Sequence, residues 1–307
     1  MENNEYMDYH IRIKQLPNDT KLYHYTSLFG LMGIIDKKQF WISRSSFLND
    51  EFEFKYIKEI IDITLDEVFI DISIRDRMKI LIESKMKELS LDDNEIDDGY
   101  YVLSFSLVRD SLTLWSEYSD FMGYNIGFEK GKLSEYFCGY RIKWSGKVEY
   151  QKEIQIQLLI NALSRCTDYD EINDGDINDY TSKMVEYFSD LIELNNTEID
   201  DRIECFCIQC IIYSMFFKKE CFIDEQEYRY IFADSTSIEM NFRNMNETII
   251  PYIIVPQKTN DKINLPISNI TIAPKNKSDI TSLGMKLYLS KKGYDVPVFL
   301  SEIPLRY

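Results

Sequence analysis

The sequence predicts an α+β domain, a mixed β-sheet core with a helical insertion. Three observations predict it. Short β-rich segments with alternating character lie toward both ends of the chain, "KLYHYTS" at 21–27 and "EYRYIFA" at 227–233 among them. Helical patterns fill 54–99 and return across 151–222. No internal repeat and no low-complexity linker separates these parts. The 307 residues therefore read as one domain carrying a helical segment and a helical insertion.

The elements follow in order. "KLYHYTS" is a strand, and Thr26 or Ser27 is a suitable N-cap for the next segment. "SLFGLMGIIDKKQ" is an amphipathic helix with Leu28, Leu31, Ile34 and Ile35 on one face, and "FWISRS" returns to strand. "KYIKEIIDITLDEVFIDI" and "DRMKILIESKMKELS" read as helices that end in the acidic loop "LDDNEIDDG". "YYVLSFSL" is a strand, "DSLTLWSEYSD" a short helix, "GYNIGFE" a strand, and "YRIKWSGKVEY" one or two more. The insertion carries the acidic, Asn-rich loop "TDYDEINDGDINDY". Strands resume at "EYRYIFA", "TIIPYIIVP" and "NITIAPK". "DITSLGMKLYLSKKG" is a helix ending at Gly293, and "DVPVFLSEIP" is a terminal strand.

Composition excludes several function classes. Apolar residues make up 45% of the chain, enough for a sizeable core, but no run approaches the roughly 18 needed for a membrane span. A net charge of −17 and a pI near 4.7 argue against bulk binding to nucleic-acid backbones, because phosphate contacts need clustered Lys and Arg. The start, "MENNEYMDYH", is too polar and acidic for a secretory signal, and six cysteines make no disulfide framework in a chain this long. Both point to a reducing cytoplasm. The spacing of "CFCIQC" at 205–210 has a metal-like look, yet no second Cys/His cluster accompanies it. Core packing of a buried helix, redox chemistry and metal binding all remain open for it.

Three groups of residues carry candidate chemistry. His24 is one of two histidines, His10 being the other. On a strand it faces opposite to Tyr23 and Tyr25. If the tyrosines are core, His24 faces a cleft where its imidazole can bond a ribose hydroxyl. The alternative is an imidazole held by a backbone partner. Trp115 and Tyr118 are three apart on a helix, close to Gly123 and Gly127. They suit stacking of a flat heterocycle, or equally two core rings. Asp224, Glu225 and Glu227 precede a β-rich run, and Glu225 and Glu227 point the same way if the segment is extended. Such a pair can stabilise a cationic transition state, with Arg229 neutralising one member. The alternative is a charged, exposed strand edge.

The stretches "LYHYTS…LMGIIDKKQFWISRSSFLNDEFEF", "VLSFSLVRDSLTLWSEYSDFMGYNIGFE" and "FFKKECFIDEQEYRYIF" together resemble the DUF2971 family of bacterial proteins of unknown function. The resemblance covers most of the chain and is weakest over 151–205. Its most specific features are the Asn49-Asp50-Glu51 step and the E-x-E-Y-R step, and the closing "SEIPLRY" fits the family's usual ending.

A second resemblance, to the ADP-ribosyltransferase fold, rests on a Tyr-His strand, a Thr-Ser pair, a helix and a second strand carrying Ser. It implies a split sheet and cleavage of the nicotinamide–ribose bond of NAD, which is bound as substrate. By that resemblance His24 holds NAD, Trp115 or Tyr118 stacks the nicotinamide, and Glu227 is the catalytic carboxylate with Glu225 two residues before it. Ser43, Ser45, Ser104 and Ser106 line the ribose or phosphates, and Arg44 and Arg109 meet pyrophosphate, with Arg229 beside the carboxylates. One branch of the fold reads His-Gly-Thr where this chain has His24, Tyr25 and Thr26, so Tyr25 adds bulk there. The acceptor is a protein, a nucleic acid base or water, and a stress or anti-phage role follows by analogy. Two other readings stand beside it. One is a non-catalytic nucleotide-sensing module. The other is a metal-dependent nuclease using Asp50, Glu51, Glu53 and Glu225.

Overall fold

The computed structural model describes residues 11–47, 56–89, 99–138, 142–167, 177–194, 196–233, 239–245, 247–256 and 264–305. His10, the Asn49-Asp50-Glu51 step, Glu53 and most of the two acidic loops lie outside these residues. The first elements are β1 (Lys21–Thr26), α1 (Leu28–Lys37), β2 (Phe40–Arg44), α2 (Tyr56–Val68) and α3 (Ile72–Glu88). Next come β3 (Tyr100–Ser106), α4 (Leu112–Ser119), β4 (Tyr124–Glu129), α5 (Lys130–Tyr136) and β5 (Ile142–Lys147). The helices α6 (Lys152–Ser164), α7 (Ile177–Glu193) and α8 (Glu198–Ser214) follow. The chain closes with β6 (Glu227–Ala233), β7 (Asn241–Met245), β8 (Thr248–Val255), β9 (Ile267–Ile272), α9 (Asp279–Lys291) and β10 (Val298–Leu300). It is a mixed α+β chain, and none of its described helices is long and apolar enough to cross a membrane.

The chain divides into two compact units, a helical unit (1–13, 50–98 and 149–220) and a sheet unit (14–49, 99–148 and 221–307). The two helical stretches seen separately in the sequence thus come together in one unit. There α2 packs on α6 and α3 on α8, around Ile60, Leu65, Met78, Leu159 and Phe206, each fully buried. The pattern over 55–72 suggested one long helix, but α2 stops at Val68. Asp71 then caps α3, its Oδ1 accepting from the Ser73 and Ile74 amides at 2.8 and 3.3 Å.

In the sheet unit, ten strands form one open, mixed sheet in the order β10-β9-β4-β1-β3-β2-β8-β7, with β6 joined to β3 and β5 to β6. Every pair is antiparallel except β9 with β10. One edge of β3 is taken along its whole length by β6. Its other edge is shared. β1 meets it at Ser106, and β2 meets it at Tyr101 and Val102. The sheet therefore forks at β3 into a β1-β4-β9-β10 limb and a β2-β8-β7 limb.

Strand alternation gives the sheet two different faces. The aromatic face carries Leu22, Phe40, Tyr101, Phe105, Phe128, Tyr228, Tyr230 and Phe232, all buried. Leu31, Ile34 and Ile35 of α1, Leu133 of α5, and Met285 and Leu289 of α9 cover it. Each such side chain contributes about 1.5–3 kcal/mol by leaving water. The caps are local. Ser27 Oγ accepts from the Gly30 amide at 3.2 Å to start α1, although Leu28, counted on the apolar face, is exposed. Gly293 takes φ +80° just beyond α9, a left-handed conformation that only glycine adopts without strain.

Candidate functional site

His24 sits at the fork. Its ring lies 5.6 Å from Phe105 and 5.9 Å from Phe40, edge or tilt first, on the aromatic face. Nδ1 lies 3.3 Å from the Ser104 carbonyl, on the stretch of β3 between the points where β1 and β2 join it. A carbonyl there lacks the ladder partner that a neighbouring strand would supply, and the imidazole provides a polar contact instead. Burial pushes the imidazole pKa below its usual value, and the Ser104 contact opposes this more weakly.

Glu227 lies on the other face. Tyr23 of β1 stands opposite Ser106 of β3, and Ser106 opposite Glu227 of β6. Directly paired residues share a sheet face, so Tyr23, Ser106 and Glu227 form one row, and His24, next to Tyr23, points away from it. The expectation that His24 and Glu227 meet across one groove is therefore not met. Two residues along, Ser104 stands opposite Arg229. The guanidinium grips both oxygens of Glu227, Nε to Oε2 at 2.8 Å and Nη2 to Oε1 at 2.9 Å, with both side chains almost fully buried. Sequence alternation placed Arg229 correctly. It misplaced Glu225, which ends a 3-10 turn, and Gln226 breaks the strand with φ 43°. Glu225 and Glu227 are both buried, at 3% and 5% exposure, so neither is an exposed strand-edge charge. Ser106 Oγ accepts from the Val108 amide at 3.0 Å.

The polar face continues across β4 and β9. Gly127 pairs with Tyr23 on one side and Asn269 on the other, and a Cβ at Gly127 would lie 2.4 Å from the Asn269 amide nitrogen. Asn125 stands between Tyr25 and Thr271. Asn125 Oδ1, Asn269 Oδ1 and Thr271 Oγ1 are buried with no hydrogen-bond partner among the described residues. Tyr25 O–H donates to the Val108 carbonyl at 2.8 Å and accepts from the Ser111 amide at 3.0 Å. Burial raises its pKa, and the Ser111 bond opposes the rise.

The two ring candidates separate. Trp115 is fully buried against Tyr25, centroids 4.7 Å apart, and its Nε1 donates to Asp110 Oδ1 at 2.7 Å. It is a core ring with no face open to a ligand. Tyr118 is 39% exposed. Alternation and helix spacing missed Asp110, which also accepts from Ser301 Oγ at 2.8 Å and the Glu302 amide at 2.7 Å. A lone acid just before the Ser111 cap was its only signal. Gly123, like Gly127, admits close packing of the chain itself: a Cβ there would lie 2.3 Å from the Thr26 carbonyl.

The remaining candidates are spread over the unit. Ser43 Oγ accepts from Arg243 Nη2 at 2.8 Å. Arg44 lies over the Tyr101 ring at 5.9 Å, its Nη1 3.8 Å from Met240 Sδ, and Ser45 is buried in a 3-10 turn. Thr26 ends β1 opposite Tyr124. Arg109 pairs with Glu302 at 3.1 Å and lies over Phe299. A shallow hollow beside α4 is lined by Leu112, Thr113, Ser116, Glu117 and Phe121, none of them a candidate from the sequence. Among the described residues, no three His, Cys, Asp or Glu side chains converge as metal ligands.

Fold and site together define a mixed α+β protein whose forked, open sheet carries a buried carboxylate–guanidinium pair on its polar face. Residues 114–230 match the family described as "Protein of unknown function (DUF2971)". The match runs from α4 through most of β6 and so includes the Glu225–Arg229 segment. No curated protein and no solved structure is matched.

Proposed function

We propose that the sheet unit is an NAD-directed enzyme of the ADP-ribosyltransferase kind, and that its chemistry belongs to the polar face. The observation that carries this reading is the row Tyr23–Ser106–Glu227, drawn from three adjacent strands, with Arg229 and Ser104 one step along. A carboxylate held this firmly is positioned to accept a hydrogen bond from a ribose hydroxyl and to stabilise positive charge as nicotinamide departs. Arg229 orients it, and one oxygen has to come free of the guanidinium for the reaction. The ADP-ribosyl acceptor in this reading is a macromolecular side chain, a base or water.

A second reading, a nucleotide-binding module without catalysis, is favoured by that same grip. A carboxylate whose two oxygens are both neutralised by one guanidinium stabilises a cation poorly. Incubation of the full chain with NAD separates the two. The catalytic reading expects nicotinamide to appear and Glu227→Gln to slow it by about 10²–10³. Saturable NAD binding with no nicotinamide supports the module. Release that continues unchanged in the Gln variant overturns the role given to Glu227.

A further inference from the structure

The cysteines of the helical unit divide into two kinds. Cys207 and Cys210 are fully buried in the core of α8, and burial raises both thiols, Cys207 to about 12. That is the core packing the sequence allowed. Cys205, on the same helix, is only partly buried, and it faces Cys166, which lies just past the end of α6 and is 1% exposed. The two sulfurs share one donor. Gln209 Nε2 lies 3.3 Å from Cys166 Sγ and 3.7 Å from Cys205 Sγ. Gln209 is itself fixed, its Oε1 accepting from Arg165 Nη2 at 3.1 Å. Arg202 stands two turns before Gln209 on α8, and Arg165 directly precedes Cys166, so two guanidinium groups flank the pair.

We infer that Cys166 and Cys205 form a peroxide-sensitive dithiol, with Cys205 as the attacking thiolate and Cys166 as the resolving thiol. The neighbouring Cys166 thiol is the main cause that brings Cys205 below its usual value. The Gln209 amide, Arg202 and Arg165 act in the same direction, and burial opposes them. The same neighbour and burial raise Cys166, and its S–H donates to the Ala162 carbonyl at 3.3 Å, so the proton stays on Cys166 and Cys205 is the sulfur that ionises first. The thiolate of Cys205 attacks one oxygen of hydrogen peroxide. The O–O bond breaks, an S–OH group forms, and the departing hydroxide takes a proton to become water. Cys166 then gives up its proton and attacks the Cys205 sulfur. The S–S bond forms, the S–O bond breaks, and a second water leaves. The two thiols lose two electrons and the peroxide gains them. The linkage would tie the end of α6 to α8 inside the helical unit.

Alkylation of the reduced full chain by iodoacetamide, read for each cysteine by peptide mass spectrometry between pH 5.5 and 9, tests the thiolate. At pH 6.5 Cys205 should keep a several-fold larger share of its own plateau rate than the exposed Cys138 and Cys221 keep of theirs. Cys207 and Cys210 should stay unreactive. One equivalent of peroxide should then give a Cys166–Cys205 linked peptide. Cys205→Ala should abolish the link, and Cys166→Ala should leave a sulfenic acid on Cys205 that a 1,3-dione traps. Should either variant lose its far-ultraviolet dichroism, the pH profile of the unaltered chain still decides. A Cys205 profile that coincides with those of Cys138 and Cys221 overturns the inference. So does peroxide oxidation of those two while Cys166 and Cys205 stay reduced.

Discussion

Replacing His24 with Phe should make the protein less sensitive to acid. In the fold the ring packs against Phe105 and Phe40, and burial holds its pKa below the ordinary 6.5, with only the weaker Ser104 contact opposing. In the unfolded chain the imidazole titrates normally. Just below pH 6.5 the unfolded state therefore binds more protons than the folded one, and stability falls as pH falls. Above 6.5 the contribution is complete. Linkage at pH 5.5 costs at most RT ln(1 + 10), about 1.4 kcal/mol, a ceiling set by the unfolded imidazole alone. Urea unfolding at pH 7.5 and 5.5 reads this out for both proteins. His24→Phe also loses the Ser104 contact, a loss of about 1 kcal/mol at both pH values alike. The drop in stability between the two pH values should be smaller in the variant, by no more than about 1.4 kcal/mol. Equal drops, or an imidazole that titrates at or above 6.5 by NMR, would refute the packing role given to His24.

Arg229→Met should destabilise the sheet unit by about 3–5 kcal/mol in urea unfolding, because it takes the bidentate guanidinium from the buried Glu227 carboxylate, and a Glu227→Leu/Arg229→Met double variant should recover much of the loss. A loss under 1 kcal/mol in the single variant would show that the pair is solvated. Trp115→Ala should cost about 3–5 kcal/mol as a fully buried ring, whereas Tyr118→Ala should cost less than about 1; a reversed order in their urea midpoints would contradict the placement of the two rings. Thr271→Val removes a buried hydroxyl that has no partner among the described residues and should be neutral or slightly stabilising; a loss of more than about 1 kcal/mol would mean that the hydroxyl is engaged.

Much of the fold could be read from the sequence because its elements are set by neighbours in the chain. The β1–α1–β2 segment shows this. "KLYHYTS", the Ser27 cap and the apolar spacing of Leu31, Ile34 and Ile35 all appear where local chemistry puts them. So does β6 at Glu227–Ala233, with Arg229 on the side of Glu227. The site was less legible, because it depends on which strands pair. Period-two alternation tells that His24 opposes Tyr23, and that Glu227 shares a side with Arg229, but not which sides of β1 and β6 coincide. That needs the register Tyr23–Ser106–Glu227, which joins positions about two hundred residues apart. Glu225 failed for a local reason: Gln226 adopts a left-handed conformation that nothing in "DEQEYRY" announces. The separation of Trp115 from Tyr118 needed the tertiary neighbour Tyr25, and the joining of 54–99 with 151–222 into one helical unit needed contacts between distant helices.

The most direct test sets the two faces of the sheet against each other in one assay: nicotinamide released from NAD by the unaltered chain, by Glu227→Gln and by His24→Phe, each verified as folded. A polar-face site predicts a loss of two to three orders of magnitude for the Glu227 variant and a rate within about threefold of the parent for the His24 variant. Equal losses in both, or a loss confined to His24, would move the chemistry to the aromatic face and contradict the account.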